Sequence, residues 1–395
     1  MTAVRRIRSD AFPPRAPVTA RGRQSAWHRM DWLLVGSALV LSLVGSLLIW
    51  SATRPRLLGS GGNQLAFFER HLMNLAIGLM LGTVAALLNY RNLRASAPIV
   101  YAASCLGLVA VLLIGSTING SHSWIVLGGG FQVQPSEFAK VALVVTMAMI
   151  FAERRERDDG RRRYDVPLVL LLAAVPAGLI MLQPDVGTIM VLTFTIFVVL
   201  AVADVDWRWM VGLALFGVVV SVGAAKFGVL KDYQLDRFRA FTNPLAHTQG
   251  AAYNVTQARI AIGNGGLTGT GLFKGSQTNG RFVPEQQTDF VFTVAGEELG
   301  FVGAGGIVLL FGIMLWRALR IAGRAPDLFG RLVAVGVTAW FAFQTFVNIG
   351  MTLGITPVTG LPLPFVSYGG SSMFANCIAI GLLLNVHHRT QAAEP

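Results

Sequence analysis

Three carboxylates stand inside or beside one apolar stretch of this chain. The segment RFVPEQQTDFVFTVAGEELGF, residues 281–301, carries Asp289, Glu297 and Glu298. An ionised carboxylate placed in hydrocarbon costs roughly 2.5–3.5 kcal/mol on insertion scales. A helix end in the wet headgroup layer would explain Asp289 alone, but it poorly explains three acids so close together. The pattern therefore predicts a functional acid, and a positioned carboxylate is suited to proton transfer.

The spacing separates these acids from one another. In a continuous helix that starts near Asp289, with about 100° per residue, one glutamate would point away from Asp289 and the other sideways. We therefore expect Asp289 alone at the mouth of a site. The same face would carry Gly296, Gly300 and Gly303, which would let a neighbouring helix approach closely.

A second polar motif precedes an apolar run. In STINGSHSWIVLGGGFQVQPSEFAK, residues 116–140, glycines predict a tight loop around Trp124. Ser136 is the predicted N-cap of the next helix, and Glu137 suits its positive first turn. Glu137 and Lys140 lie three residues apart and can pair. A capped helix start with a local ion pair explains this pattern. The functional alternative is that Lys140 contacts a pyrophosphate, since ammonium is a good phosphate partner.

The motif LQPDVGT places Asp185 between two apolar runs. Pro184 should end one helix, and Asp185 with Thr188 should cap the next. A broken helix at membrane depth is also tolerated chiefly where it lines a cavity. Capping and cavity lining both stay open for Asp185.

The polar region 229–289 is too long and too mixed in composition for a simple linker. Residues 253–262, YNVTQARIAI, have amphipathic spacing with Gln257 and Arg259 on the polar side. The glycine-rich residues 263–280 lack the G-x-x-x-x-G-K-[ST] pattern and follow no predicted strand, so a phosphate-binding loop is weakly supported. We expect an interfacial helix followed by a flexible lid.

The last polar segment is GITPVTGLPLPFVSYGGSSM, residues 354–373. Its prolines exclude regular helix, and irregular backbone at membrane depth should line protein or water. Ser367 and Tyr368 are candidate hydroxyls for a sugar or phosphate.

Composition defines the elements that must position these residues. The 395-residue chain is 53% hydrophobic and 13% charged, with a mean hydropathy of +0.58, whereas soluble proteins carry about 25% charged residues. Runs near the spanning length of ~20 residues predict an all-α polytopic membrane protein with about ten transmembrane helices. The predicted spans are 31–51, 72–90, 97–115, 136–152, 167–182, 186–203, 207–228, 290–316, 329–354 and 366–386.

Charge predicts the orientation. Most of the 32 Lys and Arg residues fall on one side of a ten-span topology, which favours both termini inside and the loop 229–289 outside. Residues 1–30 read as a disordered basic cytoplasmic tail, 31–388 as the membrane domain, and 389–395 as a second cytoplasmic tail. The net charge of +12 is then explained by topology and anionic membrane lipid, and it does not indicate a nucleic-acid partner. No cysteine or histidine spacing typical of a metal site occurs, so any metal site is unknown.

Five motifs together resemble the SEDS family of shape, elongation, division and sporulation proteins, the RodA and FtsW peptidoglycan polymerases. They are WIVLGGGFQVQPSEFAK, LQPDVGT, QARIAIGNGGLTGTG, FVPEQQTDFVFTVAGEELGF and NIGMTLGITPVTGLPLPFVSYGGSS. The resemblance spans about residues 31–388, in family order, and the form of the last motif looks closer to RodA than to FtsW.

The resemblance implies a glycosyltransferase that polymerises lipid II at the outer face of the bacterial cytoplasmic membrane. The essential acid of the family's TDF motif carries over to Asp289, which would act as the base. Undecaprenyl pyrophosphate would leave, stabilised by Lys140 or by a bound divalent cation, Mg²⁺ or Mn²⁺. The substrate-binding candidates are Trp124, Gln134, Ser136, Glu137, Lys140, Asp185, Gln257, Glu285, Thr288, Ser367 and Tyr368.

The family usually works with a class B penicillin-binding transpeptidase, so such a partner is implied, as are other cell-wall elongation or division proteins. The chain departs from the family pattern at Gln287, where a histidine is usual, and at Ser121-His122-Ser123, where a basic residue is frequent. Two other classes stay open: a lipid II flippase or other transporter of lipid-linked substrates, and a scaffold without catalysis.

Overall fold

The computed structural model describes residues 30–59, 61–118, 121–127, 131–157, 165–226, 237, 241 and 250–393. The predicted tail at 1–30 lies outside these residues except for Met30. So does the first part of the predicted outer loop, 229–249, apart from Arg237 and Phe241.

The described residues form thirteen helices in chain order. The first seven are α1 Trp32–Gly59, α2 Ala66–Leu87, α3 Tyr90–Ile114, α4 Pro135–Arg157, α5 Asp165–Leu182, α6 Val186–Val202 and α7 Trp207–Lys226. They are followed by α8 Ala251–Gly265, α9 Ser276–Gly280, α10 Val291–Glu298, α11 Gly300–Arg324, α12 Leu328–Leu353 and α13 Gly370–Ala393.

Each of the ten predicted spans corresponds to an apolar helix. Within the described residues, eight helices are long and apolar enough to cross a membrane: α1 to α5 and α11 to α13. The other two predicted spans coincide with α6 and with the first part of α7, Trp207–Val220, which are shorter apolar helices. The protein is therefore a mainly helical polytopic membrane protein, as predicted.

Three spans form the centre of the bundle. The membrane-spanning part of α4 is 89% buried and those of α12 and α13 are each 78% buried, whereas α3 is 17% buried. The first residues of α4 and α13 and the last residues of α12 lie at one end of the bundle, called here the site end. The most deeply buried helices therefore supply the ends on which a site can be built.

A small antiparallel sheet covers part of the site end, between α3 and α4. Its strands are β1 Ser116–Ile118, β2 Ser121–Leu127 and β3 Phe131–Val133, in the order β1-β2-β3. In the register, Trp124 stands opposite Ser116, and Ile125 stands opposite Val133. The sequence analysis predicted only a tight loop here, because strands this short leave little periodicity to detect.

The eighth predicted span is not continuous. The helix is broken at Leu299 and Gly300, where Gly300 has a φ of 67° in the left-handed region that favours glycine. A Cβ atom at Gly300 would lie 2.2 Å from the amide nitrogen of Gly269, so the close approach also requires glycine. The expectation of one straight helix is therefore wrong. The expected close approach of a neighbouring helix does occur at Gly296, where a Cβ atom would lie 2.8 Å from Cγ1 of Ile262 on α8.

The glycine-rich segment crosses this break as ordered backbone, so the expected flexible lid is also wrong. The amides of Thr270 and Gly271 donate to the carbonyls of Glu297 and Glu298, at 3.0 and 3.1 Å. In return, the amide of Phe301 donates to the carbonyl of Gly266 at 2.9 Å. The segment therefore satisfies backbone groups that the broken helix leaves without helical partners.

Candidate functional site

A cavity of about 860 Å³ lies at the site end. Its walls come from the end of α1 and the start of α2, from the small sheet, from the starts of α4, α6 and α13, and from two irregular segments around 285–289 and 359–362. Predicted site residues on its walls are Trp124, Gln134, Glu137, Asp185, Glu285, Thr288, Asp289 and Tyr368. The structure thus brings together residues that are up to about 240 positions apart in sequence.

The backbone around Asp289 is held by neighbouring segments. Asn348 of α12 donates from Nδ2 to the carbonyls of Asp289 at 2.9 Å and Leu361 at 2.7 Å. The hydroxyl of Ser367 donates to the carbonyl of Thr288, and the amide of Tyr368 donates to that of Gln287 at 2.8 Å. Asp289 is therefore placed before α10 by a central helix and by the proline-rich segment.

Burial and neighbouring charges raise the pKa of the Asp289 carboxyl. Burial and then the negative charge of Glu285 raise the pKa of the Asp289 carboxyl to about 6, with a smaller contribution in the same direction from Asp185. The guanidinium of Arg237 opposes these effects. Arg237 is held close by, since its Nη1 donates to the carbonyl of Thr359 at 3.1 Å. A carboxylate with a pKa near 6 is well matched to general-base work near neutral pH.

Gly360 leaves room for this arrangement. It has a φ of 77°, and a Cβ atom there would lie 3.5 Å from Oδ2 of Asp289 and 3.7 Å from Nη1 of Arg237. A side chain at this position would therefore strain the backbone, while its Cβ would be in ordinary van der Waals contact with both charged groups.

Glu137 and Lys140 pair as predicted, but Lys140 does not line the cavity. Both side chains are about 1% exposed, and Nζ of Lys140 lies 2.9 Å from Oε1 of Glu137. The ammonium also donates to Oε1 of Gln344 at 3.0 Å and lies 4.5 Å from the centre of the Trp340 ring. These partners surround Lys140 behind the wall, so the structure does not support its predicted direct contact with a pyrophosphate. Glu137 is the member of the pair that reaches the cavity.

Asp185 joins the starts of two helices. It caps α6 as predicted, accepting from the amide of Thr188 at 3.0 Å and from its hydroxyl at 2.8 Å. Its Oδ2 also accepts from Nε2 of Gln134 at 3.0 Å. Because Asp185 lines the cavity as well, capping and cavity lining are both observed.

The remaining predicted residues lie away from the cavity wall. Ser136 was predicted to cap α4, but the helix begins at Pro135, so the capping assignment is wrong; its hydroxyl instead faces Asp185 at 3.5 Å. Proline is favoured at a first helical position, and α4 begins at Pro135, two residues before the start that an N-cap at Ser136 implies. Gln257 is half-buried on α8 outside the cavity lining. Ser367 also lies outside the lining, where its hydroxyl donates to the carbonyl of Thr288.

Glu297 and Glu298 lie outside the cavity lining, whereas Asp289 lines it, as expected, although the helix is not continuous. Each glutamate has hydrogen-bond partners of its own. Glu297 is 0% exposed and accepts from the amides of Gln277 and Thr278, both at 2.8 Å, and from the Thr278 hydroxyl at 2.7 Å. Glu298 accepts from the hydroxyl of Ser51 on α1 at 2.6 Å. Glu297 thus ties the glycine-rich segment to α10, and Glu298 ties α10 to α1 and also accepts from the backbone of Phe273 and Gly275.

Sequence reasoning missed several residues of the site. Asn348 lies in the quoted motif NIGMTLGITPVTG but had no assigned role. The cavity also carries Arg56, Arg70 and Arg237, which had been counted only as charges. The available signals were a buried amide on a central helix, two arginines near the ends of helices and one arginine in the loop 229–289.

A divalent cation would find few protein ligands here. Among the described residues, no group of three or more His, Cys, Asp or Glu side chains is placed to hold a metal ion. Mg²⁺ commonly keeps several waters and binds through substrate phosphates. Such an ion would therefore fit as a companion of a phosphate-bearing substrate, where it would neutralise developing negative charge.

Comparison with known proteins agrees with this geometry. The family model for FtsW, RodA and SpoVE, described as "Cell cycle protein", matches residues 31–392. The chain belongs to the FtsW/RodA/SpoVE family. As a member of this family with its apolar helices, it is a multi-pass membrane protein.

Relatives of this FtsW/RodA/SpoVE member cover nearly all of its length. The chain is 37% identical to stage V sporulation protein E of Bacillus subtilis, over 90% of this chain and 96% of the relative. It is 36% identical to the peptidoglycan glycosyltransferase MrdB of Escherichia coli K12, over 94% and 98%. A probable peptidoglycan glycosyltransferase FtsW of Coxiella burnetii is 35% identical. These values do not separate the branches, so the closer likeness to RodA stays a prediction.

Two solved structures share the fold. RodA of Thermus thermophilus superposes with a TM-score of 0.67 at 32% identity, covering 92% of this chain and 98% of RodA. A chain from a peptidoglycan synthase complex that coordinates polymerization and crosslinking gives a TM-score of 0.75 at 33% identity, covering 91% and 98%.

Proposed function

We propose that this protein is a peptidoglycan glycosyltransferase that polymerises lipid II into glycan strands. The observation that carries the proposal is Asp289: a half-buried carboxylate on the wall of an 860 Å³ cavity, with its pKa raised to about 6. Relatives that match the chain over more than nine-tenths of their length carry the name peptidoglycan glycosyltransferase.

Asp289 acts as the general base in this proposal. It takes the proton from the acceptor's sugar hydroxyl while that oxygen attacks the anomeric carbon of the donor. The bond from this carbon to the pyrophosphate oxygen breaks, and undecaprenyl pyrophosphate leaves with the bonding electrons. Because pyrophosphate is a good leaving group, one base suffices, whereas glycoside hydrolysis uses two carboxylates. A divalent cation, Mg²⁺ or Mn²⁺, would enter with the pyrophosphate and neutralise its charge.

The same wall offers groups for binding the sugars. Trp124 presents an aromatic ring, and Tyr368 and Thr288 present hydroxyls. Gln134 and Glu285 add an amide and a carboxylate. Sugar hydroxyls take hydrogen bonds from such groups, and a ring face packs against an aromatic side chain, so this set suits a glycan-linked substrate.

The proposed location is the bacterial cytoplasmic membrane, with the site end on the outer face and both termini inside. Single cysteines test it in intact cells: one at Ser276, exposed at the site end, should react with a membrane-impermeant thiol reagent, whereas one at Pro326, in the turn between α11 and α12, should resist it. The reverse labelling pattern would contradict the orientation.

The proposed protein partner is a class B penicillin-binding transpeptidase, working with other elongation or division proteins. Support comes from the similar chain in a peptidoglycan synthase complex that coordinates polymerization and crosslinking. Co-purification of this chain with such a transpeptidase from the same cell would test the pairing.

Purified protein incubated with labelled lipid II tests the activity. Glycan chains separated by gel electrophoresis are the expected product, and Asp289→Asn should not make them. Transport of lipid II across a vesicle without polymer would instead indicate a flippase. Neither polymer nor transport, in protein that is folded, would contradict both activities and favour a scaffold.

A further inference from the structure

A second cavity, of about 350 Å³, lies at the end of the bundle opposite the site end. It is formed where α3, α4 and α5 meet, and its lining shares no residue with the cavity at the site end. At ~30 Å³ for each water-sized volume, it holds about a dozen of them. This space is enough for part of a lipid chain, and the sequence analysis assigned no role to the residues around it.

The deep part of this second cavity is mainly apolar. The hydroxyl of Tyr101 donates to the carbonyl of Leu172 at 2.7 Å, and the hydroxyl of Thr146 donates to the carbonyl of Ala97 at 3.5 Å. Both hydroxyls line the cavity but already have backbone acceptors. A ligand would therefore meet mostly apolar side chains at this depth.

The mouth of the second cavity is charged. Glu153 and Arg154 line it in the last turns of α4, which ends at Arg157. Thr146 lies eight residues before Arg154, about 12 Å deeper at 1.5 Å per residue. The order from charged mouth to apolar depth matches the order from headgroup to acyl chain in a membrane lipid.

The second cavity is open to the surface of the bundle. Its lining includes partly or fully exposed residues on each of the three helices: Pro98 on α3, Glu153 and Arg154 on α4, and Leu168 on α5. These helices are candidate membrane spans, and the window of α3 is only 17% buried. Because the outer surface of a span faces lipid, a membrane lipid can reach this opening.

The charges at the mouth discriminate between headgroups. Arg154 pairs through Nη1 with Asp165, yet its side chain stays 33% exposed and a guanidinium has five N–H donors, so a phosphate can be bound as well. An anionic headgroup would meet two carboxylates, Glu153 and Asp165, around one guanidinium. A headgroup that carries both a phosphate and an ammonium complements Arg154 and Glu153 together.

We propose that this second cavity binds phosphatidylethanolamine, with the phosphate on Arg154, the ammonium on Glu153 and part of one acyl chain beside Met149, Ile150 and Leu168. The site lies at the opposite end of the bundle from Asp289, so the inference goes beyond the proposed function and does not depend on it. A lipid in this position fills the space between three helices and should stabilise the folded state.

Native mass spectrometry of the full-length protein in detergent tests the headgroup. With equimolar phosphatidylethanolamine and phosphatidylcholine of matched acyl chains, phosphatidylethanolamine adducts should exceed the others by about threefold or more. The reason is that the trimethylated nitrogen of phosphatidylcholine has no proton to donate to Glu153. Equal adducts of the two lipids would overturn the proposal.

Substitution of the carboxylate tests the assigned contact. Glu153→Gln should lose the preference for phosphatidylethanolamine, because the charge opposite the ammonium is removed. Asp206→Asn is the matched control: it changes an exposed acid at the same end of the bundle, outside the cavity lining, and should keep the preference. A preference that persists in Glu153→Gln would refute the role of this carboxylate.

Filling the cavity tests the chain path. Leu168→Trp places a larger side chain in the lining while keeping both charges, so binding of phosphatidylethanolamine should fall by about threefold or more. Leu171→Trp makes the same change at a neighbouring residue that is 65% exposed and outside the lining, and it should bind normally. The same affinity in both variants would rule out a chain in this cavity.

A third lipid distinguishes the proposed ligand from anionic lipid in general. Phosphatidylglycerol carries the phosphate without an ammonium, so it should bind more weakly than phosphatidylethanolamine. Stronger binding of phosphatidylglycerol to the unmodified chain would overturn the proposal and assign the site to anionic lipid. In the same detergent, phosphatidylethanolamine should raise the thermal unfolding midpoint more than phosphatidylcholine does, and Glu153→Gln should abolish the difference.

Discussion

The two ends of the helix bundle hold their acids in different ways. At the end opposite the site, carboxylates pair with arginines: Nε and Nη2 of Arg317 reach Asp31 at 2.9 and 2.6 Å, and Arg154 pairs with Asp165. At the site end, Glu137 also pairs with a cation, Lys140, but Asp289 is placed through its backbone carbonyl by the neutral amide of Asn348.

The comparison distinguishes carboxylates that hold helices together from a carboxylate that is available for proton transfer. An acid neutralised by a bidentate arginine has little capacity left for a proton or a substrate. An acid whose backbone is fixed while its carboxylate faces a cavity keeps that capacity, at the cost of a raised pKa. Ion pairs therefore join helices at one end of the bundle, and a reactive carboxylate lies at the other end.

The largest effect should come from matched acid substitutions at the two ends. Asp289→Asn removes the base while keeping volume, so polymerisation of labelled lipid II should fall by about 10²-fold or more. Asp327→Asn, at the opposite end, loses part of its interaction with Tyr90 and Gly330 and should reduce thermal stability while leaving the rate per folded molecule unchanged. Similar losses of rate per folded molecule in both variants would break the comparison.

The buried pair Glu137–Lys140 should give the next effect, on stability. Lys140→Met leaves the Glu137 carboxylate uncompensated, which typically costs about 3–5 kcal/mol. The double variant Glu137→Gln, Lys140→Met should recover most of the thermal stability, measured in detergent.

Activity in the same double variant decides what Lys140 does. If polymerisation returns together with stability, Lys140 serves only to hold Glu137 and Gln344 in place. A stable double variant that stays inactive would restore a role for these charges in the reaction itself.

Removing the hydrogen bonds between Glu297 and the glycine-rich segment should have a smaller effect, on local stability. Glu297→Gln can no longer accept the two amides and the hydroxyl of Thr278 with both oxygens, a loss of about 1–3 kcal/mol. Hydrogen exchange at residues 268–278 should accelerate. Asp327→Asn, which changes a carboxylate at the opposite end of the bundle, is the control and should leave that exchange nearly unchanged.

The smallest predicted effect is on pH dependence. The base must be ionised, so activity should fall as the pH drops through about 6, the value to which burial raises the pKa of Asp289. Glu285→Gln removes a nearby negative charge, lowers that pKa and should move the acid limb to lower pH, by less than about one unit. Arg237→Gln removes the opposing positive charge and should move the limb to higher pH. Shifts in the opposite directions would contradict this electrostatic account.

Much of the fold follows from the sequence because apolar runs near ~20 residues and turn residues act locally. The break at Gly300 does not, since it depends on backbone groups of a segment some thirty residues earlier. Nothing in the run VAGEELGFVGAGG distinguishes a glycine that breaks a helix from one that permits helix packing.

The same contrast between local signals and tertiary contacts applies to the site. Asp289 stands out because a carboxylate beside apolar residues is costly wherever the chain folds. Lys140 and Asn348 depend on tertiary neighbours: Trp340 and Gln344 enclose the first, and the second reaches the carbonyl of Asp289 across the bundle. Sequence spacing placed Lys140 near the membrane edge but could not say which way its ammonium turned.

The break at Gly300 has a mechanical consequence. In the backbone, α10, which follows Asp289, joins the membrane-spanning α11 at Leu299 and Gly300, and hydrogen bonds of the glycine-rich segment bridge the same break. Asn348 and Glu297 tie the Asp289 region to other elements. Spanning helices change their tilt when bilayer thickness changes. We expect such a tilt of α11 to be absorbed at this joint, so that the carboxylate keeps its place while the surrounding membrane thins or thickens.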